Sequence, residues 1–597
     1  MTRTTGPGLF QPHTLALAIA LGISAPAQAI NFNIGEIEGQ FDSSLSIGAS
    51  WSMRSPDRDL IGPNNGGQGQ AQTGDDGRLN FKKGETFSKI FKGIHDLELK
   101  YRDTGVFVRG KYWYDFELKD ESRLFKDIDD SNRKQGAKSS GAEILDAFLY
   151  HNYAIGDLPG TVRVGKQVVS WGESTFIGNS INAINPIDVA AFRRPGAEIK
   201  EGLIPVNMLY LSQSLTDRLS MEAFYQLEWD QTILDNCGTF FSTADVAADG
   251  CDSGYHIGSP AIAPLQPIAA AFGQGFRVDS EGVILPRAGD RDARDSGQWG
   301  LALRWLGDET EYGAYFINYH SRTPIVSTQN AGLATLAALP GIIGTANGIA
   351  PGSGAGLAQS VMLGNGRYYL EYPEDIRLYG LSFSTTLPTG TAWAGEVSYR
   401  PNLPLQINTT DMTLSLLNPI APGTAPVAAG PGQDNVGYRR KEVTQVQTTF
   451  THFFDQVMGA GRFTLVGEIG MAHVGGLESR EDLRYGRDSL FGAYGFRGDT
   501  HGFVTSTSWG YRVRGIWEYS NVFAGVNLRP NVSWSHDVDG YGPNGLFNEG
   551  AKAVSFGVDA DYRNTYTASL SYTDFFGGKY NTAVDRDFLA LSFGVSF

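Results

Sequence analysis

The last ten residues, FLALSFGVSF, place Leu589, Leu591, Phe593, Val595 and Phe597 in strict alternation with Ala590, Ser592, Gly594 and Ser596. A two-residue period gives a strand one apolar and one polar face. Ending such a strand on an aromatic residue is the closing pattern of outer-membrane barrels, so the barrel assembly machinery is an expected partner during biogenesis. The amino terminus agrees. Residues 1–29 read as a secretory signal, with Arg3 in a short polar start, an apolar run from Leu15 to Ile23, and Ala27-Gln28-Ala29 before the expected cut. No later segment approaches the roughly 18 uninterrupted apolar residues that a membrane-spanning helix needs. An exported chain of this kind can still cross a bilayer as a closed barrel, in which every backbone group is paired between strands.

Composition narrows the class further. Glycine supplies 75 of 597 residues and aromatics 12%, in keeping with short turns, close strand approach and interfacial aromatic girdles. The net charge of −16 offers no basic field to replace phosphate counterions, which argues against a nucleic-acid partner. Cys237 and Cys251 lie in one polar segment of a chain expected in an oxidising compartment, so a loop-closing disulfide is expected. Neither His nor a second Cys pair follows at zinc spacing, and no metal or other cofactor is expected.

Strand-like runs are joined alternately by very short and very long connections, the asymmetry of tight periplasmic turns and long outer loops. Short turns are expected near Asp103-Thr104-Gly105, Gly156 to Gly160, Leu215-Thr216-Asp217, Gly307-Asp308, Pro388-Thr389-Gly390, Asp455 to Gly461, Ser520-Asn521 and Arg563-Asn564. Counting between them gives an all-β, transmembrane antiparallel β-barrel of about 18 strands, within two either way. The expected division is a signal peptide over 1–29, a periplasmic lead over 30–42 and the barrel over 43–597.

Alternation also assigns faces. In the first strand Leu45, Ile47, Ala49 and Trp51 suit lipid, while Ser44, Ser46, Gly48 and Ser50 suit water. Candidate lumen residues in the first part of the chain are Arg109, Lys111, Arg163, Gln167, Glu222, Glu228 and Arg304. In the second half they include Glu396, Arg400, Glu468, Arg512, Arg514, Glu518 and Arg529. Burying unpaired charge costs several kcal/mol, so these residues imply either wall-to-wall ion pairs or water and polar cargo inside.

Two connections depart from plain loop chemistry. The first, Ser170 to Gly202, carries Asn179, Asn182 and Asn185 at three-residue spacing, followed by Arg193, Arg194 and Glu198. Folded inward it narrows the barrel, with Arg193 and Arg194 facing acids across an eyelet; left outside it is a solvated loop packed on itself. The second, Ala331 to Leu363, spaces Leu333, Leu336, Leu339, Ile342 and Ile343 loosely like one face of a short helix. An outer loop this apolar should not face water. It is expected to plug the lumen, dip into the lipid leaflet or gate a path for hydrophobic cargo, with the apolar stretch Leu414 to Gly432 packed beside it.

Local catalytic signatures are missing: there is no Gly-x-Ser-x-Gly elbow, no His-Glu-x-x-His pair and no phosphate-cradling loop. The runs Gly74-Asp75-Asp76-Gly77 and Gly289-Asp290-Arg291-Asp292 hint at calcium-loop chemistry, without further ligands in register.

Three long strings carry a family resemblance: GEIEGQFDSSLSIGASW from Gly35, HDLELKYRDTGVFVRGKYWYDFELKD from His95, and VRVGKQVVSWGESTFIGNSINAINPIDVAAFRRPGAEIKEGLIPVNMLY from Val162. They resemble the domain-of-unknown-function 1302 family of Gram-negative, Pseudomonas-like outer-membrane proteins. That resemblance implies a large exported protein, often encoded near inner-membrane exporters of the resistance-nodulation-division (RND) type, and a part in moving a hydrophobic or lipid-like compound. It supplies no catalytic or binding residues. The expectation is therefore a non-enzymatic conduit in the bacterial outer membrane, surrounded by lipid and lipopolysaccharide. A general porin for small polar or anionic solutes is the alternative, and an outer-membrane lipid hydrolase the lesser one.

Overall fold

The computed structural model describes residues 30–492 and 500–597; the expected signal peptide lies outside the described residues. A nineteen-stranded antiparallel sheet forms, of which one strand, Ile30–Ile34, is a short lead and the other eighteen close into a barrel. In chain order the first nine are β1 (Ile37–Ser52), β2 (Thr86–Tyr101), β3 (Thr104–Asp115), β4 (Ser140–Ile155), β5 (Leu158–Gln167), β6 (Val206–Ser214), β7 (Leu219–Gln226), β8 (Trp299–Leu306) and β9 (Thr310–Tyr319). The remainder are β10 (Ile376–Thr386), β11 (Ala392–Gln406), β12 (Tyr438–Asp455), β13 (Arg462–Gly475), β14 (Thr507–Phe523), β15 (Val526–Asp539), β16 (Lys552–Tyr562), β17 (Tyr566–Phe576) and β18 (Phe588–Ser596).

Each strand pairs with its sequence neighbours, and β18 returns to β1, Ser596 opposite Ser44 and Phe588 opposite Ser52. Phe597 completes the seam: its N–H donates to the Ser43 carbonyl (2.9 Å) and its carbonyl accepts from the Ser43 N–H (2.6 Å). The foot of β1, Ile37 to Phe41, pairs with Ile30–Ile34, so residues 30–42 form a hairpin that extends the seam past the last strand.

Tight turns fall where Gly, Asn, Asp and Thr punctuate the sequence, at 102–103, 156–157, 215–218, 307–309, 387–391, 456–461 and 563–565. Ser520-Asn521 is the exception. There β14 runs on, the two residues sit in a bulge between the Tyr519–Leu528 and Phe523–Val526 pairs, and the chain reverses at Ala524-Gly525 with φ of 49° and 88°.

The outward face is an apolar band. Leu301, Leu303, Leu381, Ile469, Val558 and Phe593 are all exposed, as a lipid-facing surface requires. Cross-strand aromatic ladders edge the band on both sides. Trp299, Phe316 and Tyr379 meet across β8–β10, tilted and edge-on, at 4.9 and 5.1 Å near the long-loop end, and Phe383, Trp393 and Phe450 meet edge-on and stacked at 4.8 and 5.9 Å near the turns. Among the described residues no helix is long and apolar enough to cross a membrane.

The long connections build a cap over the mouth. The segment 320–375 folds into α1 (Leu333–Ile349) and α2 (Gly354–Asn365), which pack on residues from 227–298 and on Leu416, Leu417 and Ile420. Leu339 and Ile342, 5% and 0% exposed, lie at the centre of that core, with Leu336 and Ile343 beside it, while Leu333 is exposed. The core contains no barrel-strand residue, so this apolar face is buried among the long connections themselves. Cys237 and Cys251 are disulfide-bonded. Closing a loop of this length is worth about 3 kcal/mol in the chain-entropy account.

Candidate functional site: a connection folded into the lumen

Connection 168–205 leaves β5, crosses the barrel interior and returns to β6. Asn185 ties its ends together, donating from Nδ2 to the Gln167 (3.2 Å) and Ile204 (2.9 Å) carbonyls and accepting from the Val169 N–H at Oδ1 (3.0 Å). Gln167 in turn donates to the Met208 carbonyl (3.1 Å). These two expected lumen residues are therefore fasteners of the loop base.

The far wall holds the middle of the loop. Glu468 on β13 accepts three successive backbone N–H groups, from Thr175 (2.9 Å), Phe176 (2.6 Å) and Ile177 (2.7 Å). On β11, Glu396 accepts from the Glu173 and Ile181 N–H groups, and Arg400 donates to the Asn179 and Ser180 carbonyls. Gln445 and Gln447 on β12 donate to the Gly178 and Ile177 carbonyls. These wall side chains satisfy loop amides and carbonyls that have no ladder partner, which is what lets an irregular backbone lie inside a barrel.

Space is made as deliberately as bonds. A Cβ on the inward-facing Gly48, Gly300, Gly380 or Gly470 would lie 2.7–2.8 Å from Pro195, Trp171, Ile181 and Ile177 respectively. Four strands thus carry glycine where the loop presses on the wall. The near wall contributes ion pairs: Lys92 with Glu201 (2.6 Å), and Lys111 with Asp188 (3.2 Å) and Glu143 (2.8 Å).

The remaining expected residues divide between wall fasteners and open surface. Arg193 pairs with Asp235 of connection 227–298 (2.8 Å) over the Phe241 ring, and Arg194 stacks on Trp113 (4.4 Å) and donates to the Gly136 carbonyl. Arg193 is thus held by a neighbouring connection and Arg194 by β3 and connection 116–139, rather than the two facing acids across an eyelet. Asn182 is exposed and bonds Ser170; Asn179 is exposed with φ of 63°. Glu198 caps the short turn Ile199–Gly202. Arg109 pairs with Asp96 (2.7 Å) and Asp146 (3.3 Å), Arg163 stacks on Tyr210 (4.8 Å), and Glu222 accepts from Trp171 Nε1 (2.7 Å). Across the barrel, Arg512 pairs with Asp537 (2.6 Å), Glu518 pairs with Arg462 (2.9 Å), and Arg529 stands opposite Asp559.

On β14–β16 the inward Arg512, Arg514, Asn531, Ser533 and Ser555 stay half-exposed, although Ser508, Gly510 and Asp561 are buried, whereas the inward residues of β9 and β10 against the loop are buried. The loop is thus bonded and packed against the β8–β13 side of the wall and leaves much of β14–β16 accessible. On its free surface the loop exposes Phe176, Ile187, Phe192 (41%) and Ile199 (74%). Sequence reading placed Gly48 on the water face and Glu201 in the loop's charge run but did not single out Gly300, Gly380, Gly470, Lys92 or Asp188; glycine at lumen parity was the available signal for the glycines.

Fold and site together define a membrane-spanning barrel whose bore is narrowed by one of its own connections. The chain belongs to the family described as "Protein of unknown function (DUF1302)", whose model matches residues 11–597. No curated protein matches it in sequence. Among solved structures it is similar to Acinetobacter baumannii OccAB3 (9% identity, TM-score 0.40, covering 93% of this chain and 99% of that one). It is also similar to the A. baumannii outer membrane channel DcaP (9%, 0.34, 95% and 99%) and to Pseudomonas aeruginosa OccD3 (OpdP) (9%, 0.37, 97% and 96%). Likenesses with such low TM-scores decide nothing about what this barrel carries.

Proposed function

We propose that the protein is a conduit in the bacterial outer membrane, embedded in lipid and lipopolysaccharide, that passes small molecules with an apolar part through the gap between the lumen loop and β14–β16. The observation that carries this reading is the exposed Ile199 and Phe192 on a loop whose middle is bonded to the wall inside a barrel. A purely polar porin has no use for a 74%-exposed isoleucine in its bore. Export of a lipid-like compound together with an inner-membrane RND-type transporter rests on the family resemblance, and crosslinking in whole cells tests it.

In liposomes bearing the refolded protein, flux of an amphipathic dye should exceed that of a sugar of equal size. Ile199→Glu should lower dye flux several-fold and leave the sugar unaffected. Equal loss of both, or of neither, contradicts an apolar path and favours the solute porin.

A further inference from the structure

Outside the lumen, connections 53–85 and 227–298 meet at Asp75, Asp76 and Asp245, with one carboxylate oxygen of each lying within 4.8 Å of the others. All three are buried, at 0%, 5% and 2% exposure. The sequence explains the approach: a Cβ on Gly74 would lie 2.3 Å from the Thr243 carbonyl oxygen and one on Gly77 2.2 Å from that of Thr239, so the flanking glycines bring the two acids against the second connection. That second connection is closed around Asp245 by the Cys237–Cys251 disulfide.

Protein groups answer only part of this charge. Asp75 Oδ2 accepts from the Gly62 N–H (2.8 Å) and Asn65 Nδ2 (2.9 Å), and Asp245 Oδ2 accepts from the Asp76 N–H (3.2 Å). Lys126 Nζ reaches both oxygens of Asp76 (2.9 and 3.1 Å) and must also answer Glu281 at 2.5 Å. Asp75 Oδ1 and Asp245 Oδ1 are buried with no hydrogen-bond partner among the described residues. Buried charge left in this way is strongly destabilising unless a counter-charge sits on it.

We infer that Asp75, Asp76 and Asp245 bind a calcium ion that pins connection 53–85 to connection 227–298 over the barrel mouth. Carboxylate oxygens are the donors a hard cation selects, and calcium, with ligands at about 2.3–2.6 Å, bridges oxygens at this spacing. Water supplies its remaining ligands.

The test is isothermal titration of the refolded, lipopolysaccharide-free full-length protein with calcium chloride after chelator treatment, paired with limited proteolysis of the outer connections. The expected result is one calcium per chain and proteolysis at least several-fold slower with calcium than with chelator. In Asp75→Asn/Asp245→Asn, uptake should fall at least tenfold while the barrel keeps its heat-modifiable mobility. Absence of calcium uptake by the wild type, or undiminished uptake by the double variant, overturns the assignment. If the variant does not refold, the wild-type proteolysis decides: equal cleavage with calcium and with chelator rejects the site.

Discussion

Glu468 concentrates the logic of the lumen in one carboxylate. Its three charge-assisted bonds to Thr175, Phe176 and Ile177 are each worth about 1.5–3 kcal/mol. Glu468→Ala should therefore release the loop tip and raise single-channel conductance and its noise; unchanged currents would mean that the loop is held by packing alone. Gly380→Val probes the same contact from the steric side, because its added carbons meet Ile181, already 2.8 Å from an ideal Cβ. It should loosen the loop without touching a hydrogen bond, again raising conductance. Residues of this kind are half-legible in the sequence. Alternation places Glu396, Arg400 and Glu468 on the inner face, but their partners lie more than two hundred residues away, and nothing local tells a solvated lumen charge from one that binds loop amides. Arg193 and Arg194 show the opposite error: a conspicuous charge pair whose partners, Asp235 on a neighbouring connection and Trp113 on β3, tie the loop to its surroundings.

The strands and turns were readable because their signals are local: two-residue alternation for strands, and Gly, Asn and Asp for reversals. Ser520-Asn521 misled because a bulge and a turn ask for the same residue types. The α1–α2 pair was readable as apolar helix but not as cap, since what it packs on comes from two other connections. Ile342→Ala should cost that core about 2–5 kcal/mol, seen as faster proteolysis of 320–375 with the barrel intact; a collapsed barrel would contradict the separation of cap and wall. Acid should act at the junction beside it. His320 Nδ1 accepts from the Asp375 N–H (3.0 Å) and Nε2 donates to the Ser296 carbonyl (2.9 Å), which requires the neutral ring. Burial holds its pKa below the usual 6.5, aided by Arg294 and opposed by the Ser296 bond, Glu374 and Asp375. The folded form thus takes up its proton at lower pH than the unfolded one, so stability is complete above pH 6.5 and falls as pH drops below it. Amide exchange at Asp375, corrected for its intrinsic rate, should accelerate between about pH 7 and pH 5 and do so less in His320→Gln; an equal response in both would assign the effect elsewhere.

The whole molecule is a closed wall with an apolar outside, a cap fastened by the disulfide and its own core, and a connection drawn inward and bonded to the wall. The wall follows from backbone chemistry, because a barrel seam closed by Phe597 on Ser43 leaves no strand edge in lipid. The inward loop follows from side chains that only the closed wall brings together. Whether that loop sets the bore is the central claim, and single-channel conductance in a planar bilayer tests it most directly, comparing the wild type with a form in which 172–183 is replaced by a short Gly-Ser linker. The account predicts small, steady steps for the wild type and steps several-fold larger for the linker form. Equal conductance from two folded barrels would show that the loop does not set the bore.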